Sequence, residues 1–516
     1  MKNVIIGAGP AGVTAAYQLS KEQEMEVELV EKANFIGGIS ATMDIDGNKL
    51  DLGPHRYYTK SDRVQAFWES FLPLQGKPTI DDIELEHKLP FSSDPNAPDP
   101  EQTDDVFLKR PRLTRIYHHR KFFDYPVKLS WNTIKGLGFI NMMKIGFTYF
   151  WALLFKKKET NLENFFINRF GTHLYKTFFK DYTEKLWGVK CSEISAEWGA
   201  QRVKGISIIK ILKEILGKIF FRKNFHTKET SLIEFFYYPK FGSGQMYGKI
   251  AEEAKKNGAR ISLSTNVEKI NMQNGKIRSI IVNTNGEKRE IVGDNFISSM
   301  PIAELIAKMD GDVPENIRQV ASGLMYRNVR LGAFLLKKLK IKNTTGIKTY
   351  NGLVPDVWIY IQEKNILTGR LEIMNNFSPY LVKDNKNEVC LTVEYFCSDT
   401  DDLWNMPDDV FCRLALSELV QMGFADEKDF ILQKSFKVEK GYPVYFGAYK
   451  SFDIVKEYIN SIPNLYPIGR NGMHKYNNMD HSILTALETV DCIVKGNPSK
   501  ETIWAVNTEQ EYHEEK

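Results

Sequence analysis

Apolar positions open the chain as a short strand, Lys2-Asn3-Val4-Ile5-Ile6, then take a helical spacing from Ala11 to Leu19 and form a second strand from Glu26 to Glu31. Strand patterns return at Ala259–Leu263, Ile277–Val282 and Asn295–Pro301. A last strand ends at Gly469-Arg470, and a helix follows with Ile483, Leu484, Leu487 and Val490 on its apolar face. Between these pieces, residues 130–235 read as helical and rich in aromatics, and 328–400 and 430–447 hold several strand-like runs. Residues 114–125 alternate as a hairpin around the basic turn His118-His119-Arg120-Lys121. The acidic stretch 92–105, with Pro95, Pro98 and Pro100, is a surface loop.

The first strand runs straight into Gly7-Ala8-Gly9-Pro10-Ala11-Gly12, a G-x-G-x-x-G turn in the strand–turn–helix–strand context that gives it meaning. Gly7 permits the sharp turn, Gly9 lets a pyrophosphate approach the backbone, and Gly12 lets the helix pack on the strand. Unpaired amides beyond Pro10 and Ala11, at the positive end of the helix dipole, face that anion. Glu31 stands 19 residues beyond Gly12, where a carboxylate accepts a hydrogen bond from a ribose hydroxyl and disfavours a 2′-phosphate. Lys32 follows it. A second glycine pair, Gly37-Gly38, precedes Ile39-Ser40, and Leu50–Arg56 contains Gly53-Pro54-His55. This extension resembles the FAD signature of the amine-oxidase-like flavoproteins. The resemblance implies an α/β architecture: a Rossmann-type FAD-binding domain built from both chain ends, an inserted helical substrate domain, and a mixed β-sheet covering the flavin. In it Val267 offers backbone groups to the adenine, while Gly469, Arg470 and Met479 close over the ring system. The expected divisions are 1–90, 236–310 and 451–516 for the FAD domain, 91–130 for a loop and hairpin, 131–235 for the helical domain and 311–450 for the β-rich domain.

Composition narrows the class. The 516 residues are 42% hydrophobic and 26% charged, which excludes a disordered chain, a small disulfide scaffold and a multi-span membrane protein. A net charge of only +4 argues against a dedicated nucleic-acid binder. The five cysteines form no CxxC pair, so neither a metal nor a redox motif is expected, and the chain reads as a cytoplasmic enzyme without an N-terminal signal.

Two helices leave peripheral membrane contact open. Residues 136–155 are nearly all apolar, broken by Asn141 and Lys144 and closed by Lys156-Lys157-Lys158. Residues 206–223 place Ile208, Ile211, Leu212, Ile215, Leu216, Ile219 and Phe220 on one stripe, and residues 204–228 carry seven Lys/Arg against Glu214 alone. Such helices either pack inside the substrate domain with solvated lysines or lie on an anionic membrane face.

Five blocks, in order, resemble the UDP-galactopyranose mutases. These are Gly53-Pro54-His55-Arg56-Tyr57-Tyr58-Thr59, Phe123-Asp124-Tyr125-Pro126-Val127, Tyr182-Thr183-Glu184-Lys185-Leu186-Trp187-Gly188, Tyr326-Arg327, and Gly469-Arg470 through Met479-Asp480. The resemblance implies that reduced FAD uses N5 as a nucleophile on the anomeric carbon of a nucleotide sugar, so that UDP leaves, the sugar ring opens and recloses, and UDP returns without net redox. It places His55 beside the flavin, Arg327 and Arg202 on the diphosphate, and Tyr182, Trp187, His474, Tyr476 and Asn477 around the substrate. His474 and Asn477 stand where the family has tyrosines. The competing reading is an FAD-dependent oxidoreductase of the amine-oxidase or protoporphyrinogen-oxidase type.

Overall fold

In a computed structural model that describes residues 1–125, 131–196, 235–497 and 499–507, the two chain ends meet in one parallel sheet. Its strands run in the order Leu465–Pro467, Asn295–Ser298, Lys2–Ile6, Glu26–Val30, Arg260–Ser262. Val4, Ile5, Leu29, Phe296, Ile297 and Leu465 have no exposed surface, as expected where helices cover both faces of a parallel sheet. The helix Pro10–Ser20 packs against both Gly244–Lys256 and Met479–Val494. An antiparallel three-stranded sheet, Thr265–Gln273, Lys276–Thr284 and Glu287–Val292, is added beside this layer.

Over it lies a mixed seven-stranded sheet, ordered Phe430–Pro443, Tyr326–Leu336, Val389–Cys397, Arg370–Ile373, Trp358–Ile361, Thr114–His118, Lys121–Asp124. The hairpin read from residues 114–125 is thus the edge of this sheet, joined in parallel by Trp358–Ile361. The segment read as β-rich also carries the helix Asp408–Met422, whose Phe411, Ala415 and Leu419 are fully buried against the sheet.

The helical layer consists of Trp131–Leu137, Phe139–Leu154, Leu162–Phe178 and Lys180–Trp187. Gly171 breaks the third of these with φ +75°, and a Cβ there would stand 2.6 Å from the Tyr149 nitrogen, so only glycine lets the second and third helices touch. Arg202 and the basic stripe at 204–228 lie outside the described residues, as do Pro126 and Val127.

Candidate active site

Two glycine turns face each other at the end of the first strand. Gly7 takes φ +101° and its amide donates to the Val30 carbonyl (2.8 Å), while the Gly37 amide donates to the Ala8 carbonyl (2.9 Å). A Cβ on Gly12 would stand 1.8 Å from the Gly7 carbonyl oxygen, so the helix–strand contact itself demands glycine. Gly9 differs. Its φ of −73° suits any residue, and a Cβ there would meet nothing within 4 Å. The chain's own packing therefore gives no reason for glycine at this position, whereas a ligand lying on the backbone does. No side chain caps the helix that starts at Pro10, and no acid occupies its first turn. Its amides are left for an anion.

The rest of the dinucleotide cradle assembles around this turn. The Glu31 carboxylate accepts from the amides of Ala8 (2.6 Å) and Ala33 (2.7 Å), which fixes it between the turn and the strand end. The Thr265 amide donates to the Glu31 carbonyl (2.7 Å), bringing Val267 alongside, and the ladder slips between Val267 and Lys269. Ile39 and Pro54 are half-buried and Ser40 is buried. Gly469, at φ +73°, lies against Ala11 from the opposite end of the chain. Lys32 instead reaches outward to Glu439 (3.4 Å) and is two-thirds exposed. These residues fit a dinucleotide.

Beyond the cradle is a chamber of aromatic and charged groups. The His55 side chain is 15% exposed, and its Nδ1 lies 3.9 Å from an Asp51 carboxylate oxygen with no hydrogen-bond partner. Burial, with the Arg470 and Arg370 charges, pulls its pKa down to about 3, so the ring is neutral near pH 7. Arg470 is fixed by donating to the carbonyls of Asn477 (2.9 Å) and Gly441 (2.8 Å), and its guanidinium lies 4.6 Å over the Tyr476 ring. Tyr476 stacks on Tyr442 (5.6 Å, 17°), whose hydroxyl accepts from Arg370 (2.7 Å). Tyr182 sets its ring edge-on to Tyr360 and Phe396. Burial holds the phenols of Tyr182 and Tyr442 far above their usual range, so both keep their protons. Tyr182, Tyr476, Ile39 and Leu52 all pack against one buried apolar cluster that contains Trp187. Met479 is buried and accepts from the Ser243 hydroxyl (3.4 Å).

Three assignments change. Arg327 is taken up by the protein itself: its Nε donates to the Leu186 carbonyl (2.9 Å), one Nη to the Phe396 carbonyl (2.9 Å), and the other to the Ser398 hydroxyl. Asp401 lies 3.6 Å away, and Gly188 packs against the guanidinium. The arginine closes the C-terminus of Lys180–Trp187 onto the sheet, where last-turn carbonyls lack helical partners, and its donors are not free for a diphosphate. His474 has no exposed surface; its Nε2 meets the Val444 carbonyl (3.1 Å), and its ring lies among Tyr326, Tyr449 and Phe452. Burial pulls its pKa down to about 4, which makes it a neutral core residue. Asn477 holds the C-terminal loop, donating to the Gly469 carbonyl (3.0 Å) and accepting from Asn507 (3.1 Å). Neither is presented to a substrate.

Four site residues had not been singled out. Arg370, Glu372 and Glu394 form a buried charge cluster under the Gly53–His55 loop, with Glu394 Oε1 2.9 Å from where a Gly53 Cβ would stand. The signal was present: strands apolar on both faces, Arg-Leu-Glu-Ile and Leu-Thr-Val-Glu-Tyr-Phe, each carry an inward carboxylate that needs a partner. The fourth is Asp51, which accepts from the Thr42 hydroxyl (2.6 Å), the Tyr238 hydroxyl (2.7 Å) and the Ser243 amide (3.0 Å). Burial outweighs these bonds and pushes its pKa up to about 7. A carboxyl raised in this way favours the fold below its unfolded pKa of 3.8, and that contribution is lost as pH rises through about 7. The loss amounts to at most about 4 kcal/mol at 1.36 kcal/mol per pH unit. Stability should therefore fall from pH 4 to pH 7 on this account and flatten above, measured as urea midpoints across pH; Asp51→Asn should remove that slope. An unchanged slope in the variant rules Asp51 out.

Residues 5–71 match the model of the NAD(P)-binding Rossmann-like domain. No curated protein matches the chain by sequence. Among solved structures, a reduced UDP-galactopyranose mutase is similar over 98% of this chain and 99% of its own, with 20% identity and a TM-score of 0.75. A protein from Exiguobacterium sp. 255-15, named after protoporphyrinogen oxidase, is similar over 96% and 99%, with 14% identity and a TM-score of 0.62. Putrescine oxidase bound to putrescine is similar over 96% and 99%, with 12% identity and a TM-score of 0.57. From end to end, the chain has the fold that the mutase and these oxidases share.

Proposed function

We propose that the chain is a flavoenzyme that binds FAD between its N-terminal glycine turns and its C-terminal loop and interconverts the pyranose and furanose forms of a nucleotide sugar. The observation that carries this reading is the likeness to the mutase, which spans both chains at a TM-score of 0.75, above the 0.62 of the oxidase-like neighbour. Bound in reduced form, FAD would supply a nucleophile for the anomeric carbon, with no net redox change.

The chain's own part is binding and exclusion of water. The Gly7–Gly12 turn and the uncapped helix hold the diphosphate of the cofactor, and Glu31 holds a ribose. Neutral His55 offers a ring nitrogen in the chamber without adding positive charge, and Arg470 supplies a fixed cation beside it. The protonated phenols of Tyr182 and Tyr442 are donors for sugar or phosphate oxygens. Arg202 remains the proposed second cation for the leaving diphosphate.

The fold shared with putrescine oxidase favours one alternative, hydride removal from an organic substrate. The two readings differ in redox demand. With UDP-galactose as probe, a mutase turns over only after dithionite or NAD(P)H reduction and consumes no oxygen, and cyanoborohydride traps a sugar on the flavin. Stoichiometric consumption of oxygen or of an electron acceptor, with no trapped sugar for any UDP-sugar, would overturn the mutase reading.

A further inference from the structure

The helix Phe139–Leu154 has one packed face and one bare one. Tyr149 and Ala152 are buried against Leu162–Phe178, where Gly171 allows close approach. On the other side Phe139, Ile140, Phe147 and Leu154 are 76, 71, 68 and 60% exposed, and Met143, Phe150, Trp151 and Phe155 continue the same stripe. Phe147, Trp151 and Phe155 stack along it, with ring centroids 6.3 and 4.4 Å apart. An apolar aromatic surface of this extent marks a place where something docks.

Charge identifies the occupant. From Trp131 to Lys158 the sequence holds five lysines (135, 144, 156, 157, 158) and no acid. The first carboxylate beyond, Glu159, is paired with Arg169 (2.8 Å). A second copy docking through the same face would set lysine against lysine, and the chain's own 204–228 segment is itself strongly basic. An apolar face rimmed by lysines fits a surface that is apolar below and anionic above. At 16 residues the helix is shorter than the ~20 needed to cross a bilayer, and no described helix is long and apolar enough to cross one. We propose that Phe139–Leu154 lies in the headgroup layer of an anionic membrane, with its aromatic stripe among the acyl chains and Lys135, Lys144, Lys157 and Lys158 at the lipid phosphates, while Lys156 is held by the Asn168 carbonyl (2.8 Å). This inference stands apart from the reaction the chain catalyses.

The test is flotation of the purified full-length chain with vesicles. It should float with phosphatidylcholine vesicles containing phosphatidylglycerol, lose roughly tenfold in bound fraction on pure phosphatidylcholine or in high salt, and shift its tryptophan emission to the blue. Trp151→Phe should float equally well with a smaller shift. The double variant Phe147→Ser/Trp151→Ser, altered only at exposed positions, should stay in the soluble fraction while keeping its flavin content and melting temperature. The proposal fails if the chain never floats with anionic vesicles, or if the double variant floats as well as the parent. It also fails if light scattering finds a dimer that the double variant dissociates.

Discussion

Gly9→Ala is expected to yield a protein that folds with unchanged stability and no longer retains flavin. The argument rests on contrast with Gly12. At Gly9 the backbone is in an ordinary extended conformation and a methyl group would enter open space, so the apoprotein should melt within about 0.5 kcal/mol of the parent. The same methyl group would stand over the helix N-terminus, where the diphosphate must touch backbone amides. Losing that contact should weaken FAD retention by about 100-fold or more, equivalent to about 2.8 kcal/mol. Gly12→Ala should do the reverse damage, because its Cβ falls 1.8 Å from the Gly7 carbonyl. Forcing the helix off the strand should cost about 1–3 kcal/mol or more before any ligand is considered. Melting curves of the apoproteins, followed by flavin titration, separate the two. If Gly9→Ala binds FAD like the parent, the cofactor does not lie on this turn.

The nucleotide end of the site was legible because it is built from neighbours in sequence. Gly7–Gly12, Glu31 and Gly37-Gly38 occupy one strand–turn–helix–strand unit, and backbone geometry dictates their residue types. The return strands at Asn295–Ser298 and Leu465–Pro467 were visible as short apolar runs that the sheet buries, whereas Arg260–Ser262, at one edge of the sheet, keeps Arg260 exposed. Of the chamber, the sequence pointed to His55, Arg470 and the aromatics Tyr182 and Tyr476, but not to the buried charges beneath them. Motif matching assigned Arg327 by residue type, but an arginine can serve a phosphate or close a helix end, and only the third dimension decides. Here the Lys180–Trp187 helix ends against the sheet, so its last carbonyls take the guanidinium; Lys185 in the same motif likewise donates to the Glu363 carbonyl (2.9 Å). Tyr442 serves two roles that local pattern does not distinguish: it lies at the end of the edge strand Phe430–Pro443 and it stacks on Tyr476. The Arg370–Glu394 pair spans adjacent strands 24 residues apart, and its register follows from sheet pairing rather than local pattern.

That pair underlies the largest expected loss of stability. Glu394 is almost fully buried, its partner Arg370 donates to it from the neighbouring strand, and Glu372 lies 4.0 Å from the same guanidinium. Burial, reinforced by the Glu394 charge, holds the Glu372 carboxyl far above its usual range, so Glu372 is neutral and Arg370 balances Glu394. Arg370→Met would keep most of the volume and leave Glu394 charged with no cation. The expected cost near pH 8 is about 3–5 kcal/mol, the range for removing one partner of a buried pair. Arg370→Met/Glu394→Gln should recover much of the stability, because the stranded charge, and not the missing contact, carries the penalty. Since Gly53 packs on the Glu394 carboxylate and Tyr442 receives the other end of Arg370, the single variant should also loosen the His55 loop and reduce flavin retention. Denaturant midpoints near pH 8, for both variants, decide the matter. A single variant as stable as the parent at pH 8 would mean that the Arg370–Glu394 pair does not hold these strands together, and that the stability of the chamber floor rests on its apolar packing instead.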